Sequence, residues 1–118
     1  MFEGKRVAVV VPAYEEEKLL PVTLAGIPDF VDRIYVVDDC SPDATAARAE
    51  ECAARDPRIE LIRHERNGGV GAAIVTGYLR AVEERIDVTA VMAAANQMNP
   101  DELAGLVAPV ARGEVDYA

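Results

Sequence analysis

Residues 7–17 read VAVVVPAYEEE, and this stretch sets the pattern from which we infer the fold. Its first part, residues 7–11, is a continuous apolar run rich in β-branched side chains, and proline, tyrosine and acidic residues follow it closely. Continuous runs of this length are typical of strands that are covered on both faces, as in a parallel sheet. The stretch therefore predicts a buried strand that ends in a polar loop.

Three further runs repeat this pattern at near-regular intervals, over residues 33–37, 59–63 and 88–92. The segments between them carry helical signals, so the predicted order is β-α-β-α-β-α-β-α. Alternation of this kind implies right-handed crossovers between parallel strands. We therefore expect one α/β domain over residues 1–118, a three-layer α/β/α fold around a mainly parallel, doubly wound sheet.

Apolar spacing predicts the first and third helices. The first starts near Leu20, because Pro21 is poorly tolerated in a helix interior, and its buried face comprises Leu24 and Ile27. The third begins at Val70. Its predicted buried face repeats at three- and four-residue steps and comprises Ile74, Tyr78, Ala81, Val82 and Arg85.

Capping residues predict the second and fourth helices. Residues 43–55 are Ala-rich, with Ser41 placed to cap the helix and Pro42 suited to its first position. Asn99 and Pro100 repeat that arrangement after the fourth strand, where a glutamate follows the capping asparagine by three residues.

The composition excludes several classes of protein. Of the 118 residues, 51% are apolar and 28% charged, which is an ordinary balance for a folded domain. The formal charge of -9 argues against a nucleic-acid-binding face and against tight adsorption on an anionic membrane. The first residues lack the organisation of a signal peptide, and no run approaches the roughly 18 to 20 apolar residues of a membrane span. We expect a cytoplasmic protein in which Cys40 and Cys52 are free thiols.

In sheets of this type, ligands bind at the carboxyl ends of the strands. The acidic loop of residues 15–17 follows the first strand, where it either contributes to a site or is simply solvated. Asp38 and Asp39 follow the second strand. Either they accept hydrogen bonds from a nucleobase N–H or a ribose hydroxyl, or they stay hydrated while Asp43 stabilises the start of the helix.

A glycine-rich turn, residues 67–73, opens the third helix. It either contacts a ligand such as a phosphate or serves as a tight turn with close packing of the helix on the sheet. It lacks the third glycine of a dinucleotide-binding fingerprint and the Gly-Lys-Ser/Thr of a Walker loop. The single histidine, His64, ends the third strand, and we expect it to be structural or merely exposed.

Taken together, four segments resemble family 2 glycosyltransferases of the GT-A fold, particularly the dolichyl- and polyprenyl-phosphate sugar synthases. Residues 9–17 are similar to a strand followed by Pro-x-Tyr-Asn-Glu, with Glu15 in place of Asn. Residues 36–45 resemble Val-Asp-Asp-x-Ser-x-Asp-x-Thr, and residues 66–73 resemble the Asn-x-Gly-x-Gly-Ala turn. Residues 92–100 match the segment that carries the metal-binding motif. The resemblance spans the whole chain and implies the N-terminal part of a longer catalytic domain.

The resemblance implies a role for each matching position. Asp38 or Asp39 would contact the base or the ribose, and Gln97 would lie close to the sugar diphosphate or the acceptor phosphate. The remaining residues implied to line the nucleotide pocket are Pro12, Ala13, Tyr14, Glu16 and Gly71.

One departure concerns the metal. The family uses Mg²⁺ or Mn²⁺ held by aspartate, yet Ala93 and Ala95 occupy the aspartate positions, and alanine offers no side-chain ligand. We interpret Ala95, which stands where single-aspartate relatives keep an Asp, as a replacement in an otherwise intact site. This chain is therefore expected to bind a divalent cation poorly and to turn over slowly or not at all.

The resemblance implies an inverting glycosyltransferase that moves a sugar from a nucleoside-diphosphate sugar to an acceptor, with a polyprenyl phosphate as the leading candidate. That acceptor would bring a cytoplasmic protein to the membrane surface. A non-catalytic nucleotide-binding or interaction module of the same fold is the alternative, favoured by the missing metal ligand. A homodimer formed through an exposed sheet edge is a further expectation.

Overall fold

The computed structural model describes residues 2–92. Its strands and helices, in chain order, are β1 Val7–Ala13, α1 Leu20–Ala25, β2 Arg33–Asp38, α2 Thr45–Arg55, β3 Ile59–Arg63, α3 Gly69–Glu83 and β4 Val88–Val91. The four strands form one parallel sheet in the order β3-β2-β1-β4. The predicted alternation and parallel sheet are therefore confirmed over these residues, whereas the predicted fourth helix lies outside them.

Helices cover both faces of the sheet, which confirms the three layers. On one face, α1 and α2 pack over inward side chains that include Val9 and Val11. On the other face, α3 packs over the alternate residues, including Val10 and Val37. Both faces of β1 are thus removed from water, and each buried valine contributes roughly 1.5–3 kcal/mol to folding. This double burial explains why the β1 sequence is continuously apolar.

The strand order reverses between β1 and β4. The connections from β1 to β2 and from β2 to β3 step towards one edge of the sheet, whereas α3 carries the chain back across the sheet to β4. Ligands of doubly wound sheets bind at such a reversal, outside the carboxyl ends of the strands. The fold therefore directs attention to the loop after β1 and to residues 93–99 after β4, of which only the former lies among the described residues.

The start of α1 agrees with the prediction, but that of α2 does not. Helix α1 begins at Leu20 with Pro21 in its first turn, and Leu24 is buried. Ile27 is also buried, although it lies beyond the end of the helix. Helix α2 begins only at Thr45, so the cap predicted at Ser41 is wrong.

The residues assigned to the start of α2 are held in a turn instead. The backbone N–H of Ser41 donates to Asp38 Oδ1 at 3.2 Å, and the Ser41 hydroxyl accepts a hydrogen bond from Glu15. Pro42 therefore lies before the helix rather than at its first position. Asp43 accepts a hydrogen bond from the backbone N–H of Thr45 at 3.1 Å, so its predicted role at the helix start is confirmed.

The buried face of α3 differs from the prediction. The helix begins at Gly69, one residue earlier than predicted, and buries Ala73, Gly77 and Ala81. Val82, assigned to the buried face, is 73% exposed, and Arg85 lies beyond the helix and is also exposed. Small residues at four-residue steps let the helix backbone approach β1 closely. The buried face of α3 therefore follows these small residues and not the pattern of larger apolar side chains.

Polar contacts fix the C-terminal end of α3 to β2. The Tyr35 hydroxyl donates to Glu84 Oε1 at 2.6 Å, and Arg33 Nε donates to the same oxygen at 3.2 Å. Arg80 of α3 donates to Glu60 on β3 at 2.6 Å. These bonds join three elements, so the position of α3 along the sheet is set by specific contacts as well as by packing.

The closest approach of α3 to the sheet yields a stability test. A Cβ atom added at Gly77 would overlap the side chain of Val10, which is enclosed in β1 and cannot move aside. We expect Gly77→Ala to lower the free energy of unfolding by roughly 1–3 kcal/mol, as overpacking of a core does. Urea unfolding followed by circular dichroism measures the change.

Gly71→Ala is the matched control, because a Cβ atom at Gly71 meets nothing within 4 Å and the residue also lies in α3. Its better helix propensity is expected to leave stability unchanged or raise it by about 0.5–1 kcal/mol. Equal midpoints for Gly77→Ala and the unsubstituted chain would contradict the proposed close contact.

Candidate functional site

Two adjacent carboxylates lie at the carboxyl end of β2, and both are buried. The exposed fraction is 0% for Asp38 and 4% for Asp39. The alternative in which the two stay hydrated is therefore wrong. Because buried carboxylates are costly unless they accept hydrogen bonds, the partners of each one indicate its role.

Asp39 binds the start of α3. Its Oδ1 accepts hydrogen bonds from the backbone N–H of Gly68 at 2.8 Å and from His64 Nδ1 at 2.9 Å. Its Oδ2 accepts one from the backbone N–H of Gly69 at 2.8 Å. Burial acts to raise the pKa of Asp39, but the bonds from Gly68, His64 and Gly69 outweigh it, so the net pKa is lowered. The carboxylate is therefore ionised at neutral pH.

The backbone of Asp39 is also bound on both sides. Its N–H donates to the carbonyl oxygen of Ala13, the last residue of β1, at 3.0 Å. Its carbonyl oxygen accepts a hydrogen bond from the Asn67 side chain at 3.3 Å. One residue thus connects the ends of β1 and β3 and the start of α3, which places three of the predicted ligand-facing segments together.

These contacts bear on the two interpretations of the glycine-rich turn. The Gly68 and Gly69 amides already bind Asp39, and Gly69 has a φ of +89°, which glycine adopts without strain. The N–H groups of Gly68 and Gly69 are thus engaged within the protein, which favours the tight-turn interpretation for this pair. Gly71 lies in the first turn of α3 and is exposed, and its implied contact with nucleotide stays a prediction.

His64 is hydrogen-bonded at both ring nitrogens, which agrees with a structural role and not with the alternative that it is merely exposed. Its ring is held between Asp39 and α3, where Nε2 lies 2.7 Å from the hydroxyl oxygen of Thr76. That hydroxyl also lies 3.0 Å from the carbonyl oxygen of Ala72. Thr76 belongs to none of the motifs in the sequence. Its signal is its position two helical turns after Gly69, on the flank of α3 that faces the end of β3.

Asp38 is less completely bound than Asp39. Its Oδ1 accepts a hydrogen bond from the backbone N–H of Ser41, but its buried Oδ2 has no hydrogen-bond partner among residues 2–92. Arg63 Nε lies 3.8 Å from Oδ2, and the Arg63 side chain is 62% exposed. This spacing is an ion pair without a hydrogen bond. Asp38 therefore retains an acceptor that a ligand donor or a shift of Arg63 would satisfy.

The loop after β1 lies against the loop after β2. The backbone N–H of Glu15 donates to the Ser41 hydroxyl at 3.1 Å, and that of Glu16 donates to the Thr45 hydroxyl at 2.9 Å. The three glutamates precede α1, which confirms that they lie in the loop. Tyr14 is 43% exposed, and the neighbouring Glu15 carboxylate raises its pKa.

A cavity of about 370 Å³ adjoins this loop. Its lining is acidic, with Lys18 and Leu19 the exceptions, and comprises Glu15, Glu16, Glu17, Lys18, Leu19 and Asp43. Carboxylates repel a diphosphate, so we expect only uncharged parts of a ligand to enter it. A second cavity of about 220 Å³ lies beside Leu24, Cys52 and Ile59, at the amino end of β3 and away from the carboxylates.

With this geometry in view, residues 8–118 match Glycosyl transferase family 2. The chain belongs to this family. The predicted family resemblance is therefore confirmed, and it rests on nearly the whole chain rather than on one motif.

Two curated relatives show the group within the family. The chain is 35% identical over 107 residues to an undecaprenyl-phosphate mannosyltransferase of Micrococcus luteus, covering 89% of this chain and 44% of the relative. It is 32% identical over 112 residues to a polyprenol monophosphomannose synthase of Mycolicibacterium smegmatis, covering 92% of this chain and 42% of the relative. The chain therefore spans less than half the length of these two proteins.

Solved structures confirm the GT-A fold. A mannosyltransferase from Pyrobaculum calidifontis in complex with GDP-Man and Mn²⁺ superposes with a TM-score of 0.75 at 25% identity, covering 87% of this chain and 32% of that one. Glucosyl-3-phosphoglycerate synthase from Mycobacterium tuberculosis, with Mn²⁺, UDP-glucose and phosphoglyceric acid, gives 0.73 at 24% identity, covering 94% and 41%. These two complexes carry different bases, so the fold alone leaves the base open.

Ala93 and Ala95, which the resemblance assigns to the metal-binding aspartate positions, have no side-chain oxygen to offer a cation. Both lie outside the described residues, so that assignment stays a prediction. Between residues 2 and 92, no three His, Cys, Asp or Glu side chains come together in a group that could hold a metal ion. Gln97 also lies outside the described residues, and its implied role stays a prediction.

Within the described part of the chain, no helix combines the length and the apolar character needed to cross a bilayer.

The backbone at Glu15 yields a second test. Glu15 has a φ of +53°, in the left-handed region that asparagine tolerates better than glutamate. We expect Glu15→Asn to raise the free energy of unfolding by about 0.5–1 kcal/mol, measured by urea unfolding. Glu17→Asn is the control, since it makes the same change of side chain and charge in the same loop without a positive φ. Equal increases in the free energy of unfolding in both variants would show that the effect comes from the change of charge and not from the positive φ.

The Asp39 contacts predict a pH-dependent contribution to stability. Because the folded-state pKa of Asp39 lies below its ordinary 3.8, the contribution is present above 3.8 and is lost as the pH falls through the lower folded value. Asp39→Asn removes the charge, so we expect it to lower the free energy of unfolding at pH 7 by roughly 1.5–3 kcal/mol, the usual contribution of a hydrogen bond to a charged group.

Urea unfolding at several pH values between 7 and 3 measures the difference between Asp39→Asn and the unsubstituted chain. That difference should narrow below about pH 3.8. A difference that stays constant with pH would show that the effect of the substitution is steric rather than electrostatic.

Proposed function

We propose that this chain forms the nucleotide-binding part of a glycosyltransferase that moves a sugar from a nucleoside-diphosphate sugar to a polyprenyl phosphate. The observation that carries the proposal is the buried pair of carboxylates at the strand ends, in a chain whose family is established. The relatives named above are an undecaprenyl-phosphate mannosyltransferase and a synthase of polyprenol monophosphomannose, which supports the class of acceptor. A lipid acceptor would place the protein at a membrane surface.

Each residue of the site has a chemical role in this proposal. Asp39, ionised and fixed, accepts a hydrogen bond from the base, and the free Oδ2 of Asp38 is available to a ribose hydroxyl. The half-exposed ring of Tyr14 offers an apolar face at the rim. Pro12, Ala13, Glu16 and Gly71 stay assigned to the nucleotide pocket by resemblance.

The leaving group requires separate treatment. In transfer from a nucleoside diphosphate, negative charge develops on the diphosphate, and relatives with Mn²⁺ have a cation to neutralise it. The residues at positions 93 and 95 do not fit such an ion. A phosphate acceptor is already ionised near neutral pH and needs little help from a general base. What this chain lacks is therefore the stabilisation of negative charge on the leaving group. Without it, we expect transfer of the sugar to be slow or absent.

The same alanines favour a second candidate, a nucleotide-binding module without catalytic activity. The two proposals differ in their response to metal, because a module binds nucleotide through base and ribose contacts alone. They make the same prediction for Asp39, so the substitution that separates them must be made at the metal position.

We expect Ala95→Asp to increase the affinity for UDP or GDP by at least about tenfold in the presence of Mn²⁺ and to change it little without metal, where tenfold corresponds to 1.4 kcal/mol. Isothermal titration calorimetry measures both affinities. Ala94→Asp adds the same charge at the neighbouring position, to which the resemblance assigns no aspartate, and serves as the control. Metal-independent binding that Ala95→Asp does not alter supports the module, and a folded Ala95→Asp chain that binds neither nucleotide contradicts the glycosyltransferase proposal.

A further inference from the structure

The hydrogen bonds that Asp39 already accepts determine how many further hydrogen bonds its carboxylate can accept. An ionised carboxylate can accept about four hydrogen bonds, two on each oxygen. On Asp39, Oδ1 already accepts from the Gly68 amide and from His64 Nδ1, and Oδ2 accepts from the Gly69 amide. One acceptor position therefore remains, and it lies on Oδ2.

His64 keeps Oδ1 occupied in both of its charge states. An ionised carboxylate only accepts hydrogen bonds, so the Nδ1 atom that faces Asp39 must carry a hydrogen whether the ring is neutral or charged. The other ring nitrogen faces the Thr76 hydroxyl, which can donate to a neutral ring, or accept from a charged ring while donating to Ala72. The second donor on Oδ1 is thus supplied by a side chain held at both ends.

The one acceptor position that remains on Asp39 discriminates between uracil and guanine. Uracil presents one N–H on its pairing edge, between two carbonyl oxygens, and this single donor fits the one acceptor on Oδ2. Guanine presents two adjacent N–H donors, which suit a carboxylate with both oxygens available. With Oδ1 occupied, one of the guanine donors would be buried without a partner, and an unpaired buried donor is strongly disfavoured.

We propose that His64 is a positioning residue that makes the donor site selective for a uridine nucleotide over a guanosine nucleotide, by holding Asp39 with a single acceptor free. The proposal rests on the proposed function, in which Asp39 contacts the base. Three neighbours act through the same carboxylate, but only His64 does so with a side chain that substitution can remove, since the Gly68 and Gly69 donors are backbone groups.

The test compares UDP and GDP binding to this chain without added metal, because base recognition by these groups involves no cation. Isothermal titration calorimetry gives the two dissociation constants, and ¹⁵N-resolved spectra of the Gly68 and Gly69 amides report whether the ligand reaches Asp39. We expect UDP to bind at least about tenfold more tightly than GDP. We expect His64→Ala to bring this ratio towards one, because it frees an acceptor on Oδ1.

Three variants separate positioning from general stability. His64→Gln retains an N–H donor and is expected to preserve at least part of the UDP preference. Thr76→Val removes the partner of His64 Nε2 at nearly constant volume and is expected to lower the preference for UDP over GDP in part. This variant tests the proposal if His64→Ala does not fold. Glu65→Gln, at an exposed position beside His64, is the control and should leave the ratio unchanged.

The outcomes are distinguishable. Loss of affinity for both nucleotides in equal proportion in His64→Ala would indicate a purely structural role and overturn the inference. Equal or tighter binding of GDP by the unsubstituted chain would also overturn it while leaving the proposed function intact. A folded chain that binds neither nucleotide would overturn the donor site itself, and the inference with it.

Discussion

The hydrogen bonds from the Gly68 and Gly69 amides to the Asp39 carboxylate hold together the side of the sheet at which the carboxyl ends of the strands lie. The first N–H groups of a helix have no partner within the helix, and they attract negative charge. Here the carboxylate that directly follows β2 satisfies two of them, and the same bonds offset the cost of burying that carboxylate. Because the Asp39 backbone also binds Ala13, the ends of β1 and β2 and the start of α3 are fixed relative to one another.

That arrangement depends on how closely α3 packs on the sheet. The buried face of small residues centred on Gly77 sets the distance between the helix and β1, and the bonds from Tyr35 and Arg33 to Glu84 hold its far end. A helix lifted by even one methyl group would move its amides away from Asp39. Packing in the core and geometry at the site are therefore coupled through one rigid element, which explains why large apolar side chains such as Val82 face outward.

The elements of the fold could be predicted from local sequence, because doubly covered strands are continuously apolar and the chain alternates between strands and helices. The first helix position could also be predicted, since Pro21 restricts it. The start of α2 could not, because the Ser41 hydroxyl is engaged by Glu15 of the neighbouring loop, and a contact 26 residues away along the chain leaves no local signal. The partners of Asp39 lie 25 to 30 residues away along the chain, so local patterns indicated the residues of the site but not their bonds.

Base recognition and leaving-group stabilisation are physically separable in the proposed site. The contacts that prepare Asp39 are made by backbone amides and an imidazole, and none of them depends on a cation. Stabilisation of a diphosphate, in contrast, requires positive charge close to the phosphates, and the resemblance assigns that task to positions 93 and 95, which hold alanine. Under the proposed function, replacing the metal ligand removes the stabilisation of the transition state and leaves the recognition of the base in place. The proposed donor site would then keep its selectivity for the base while transfer becomes slow, because the two depend on different residues.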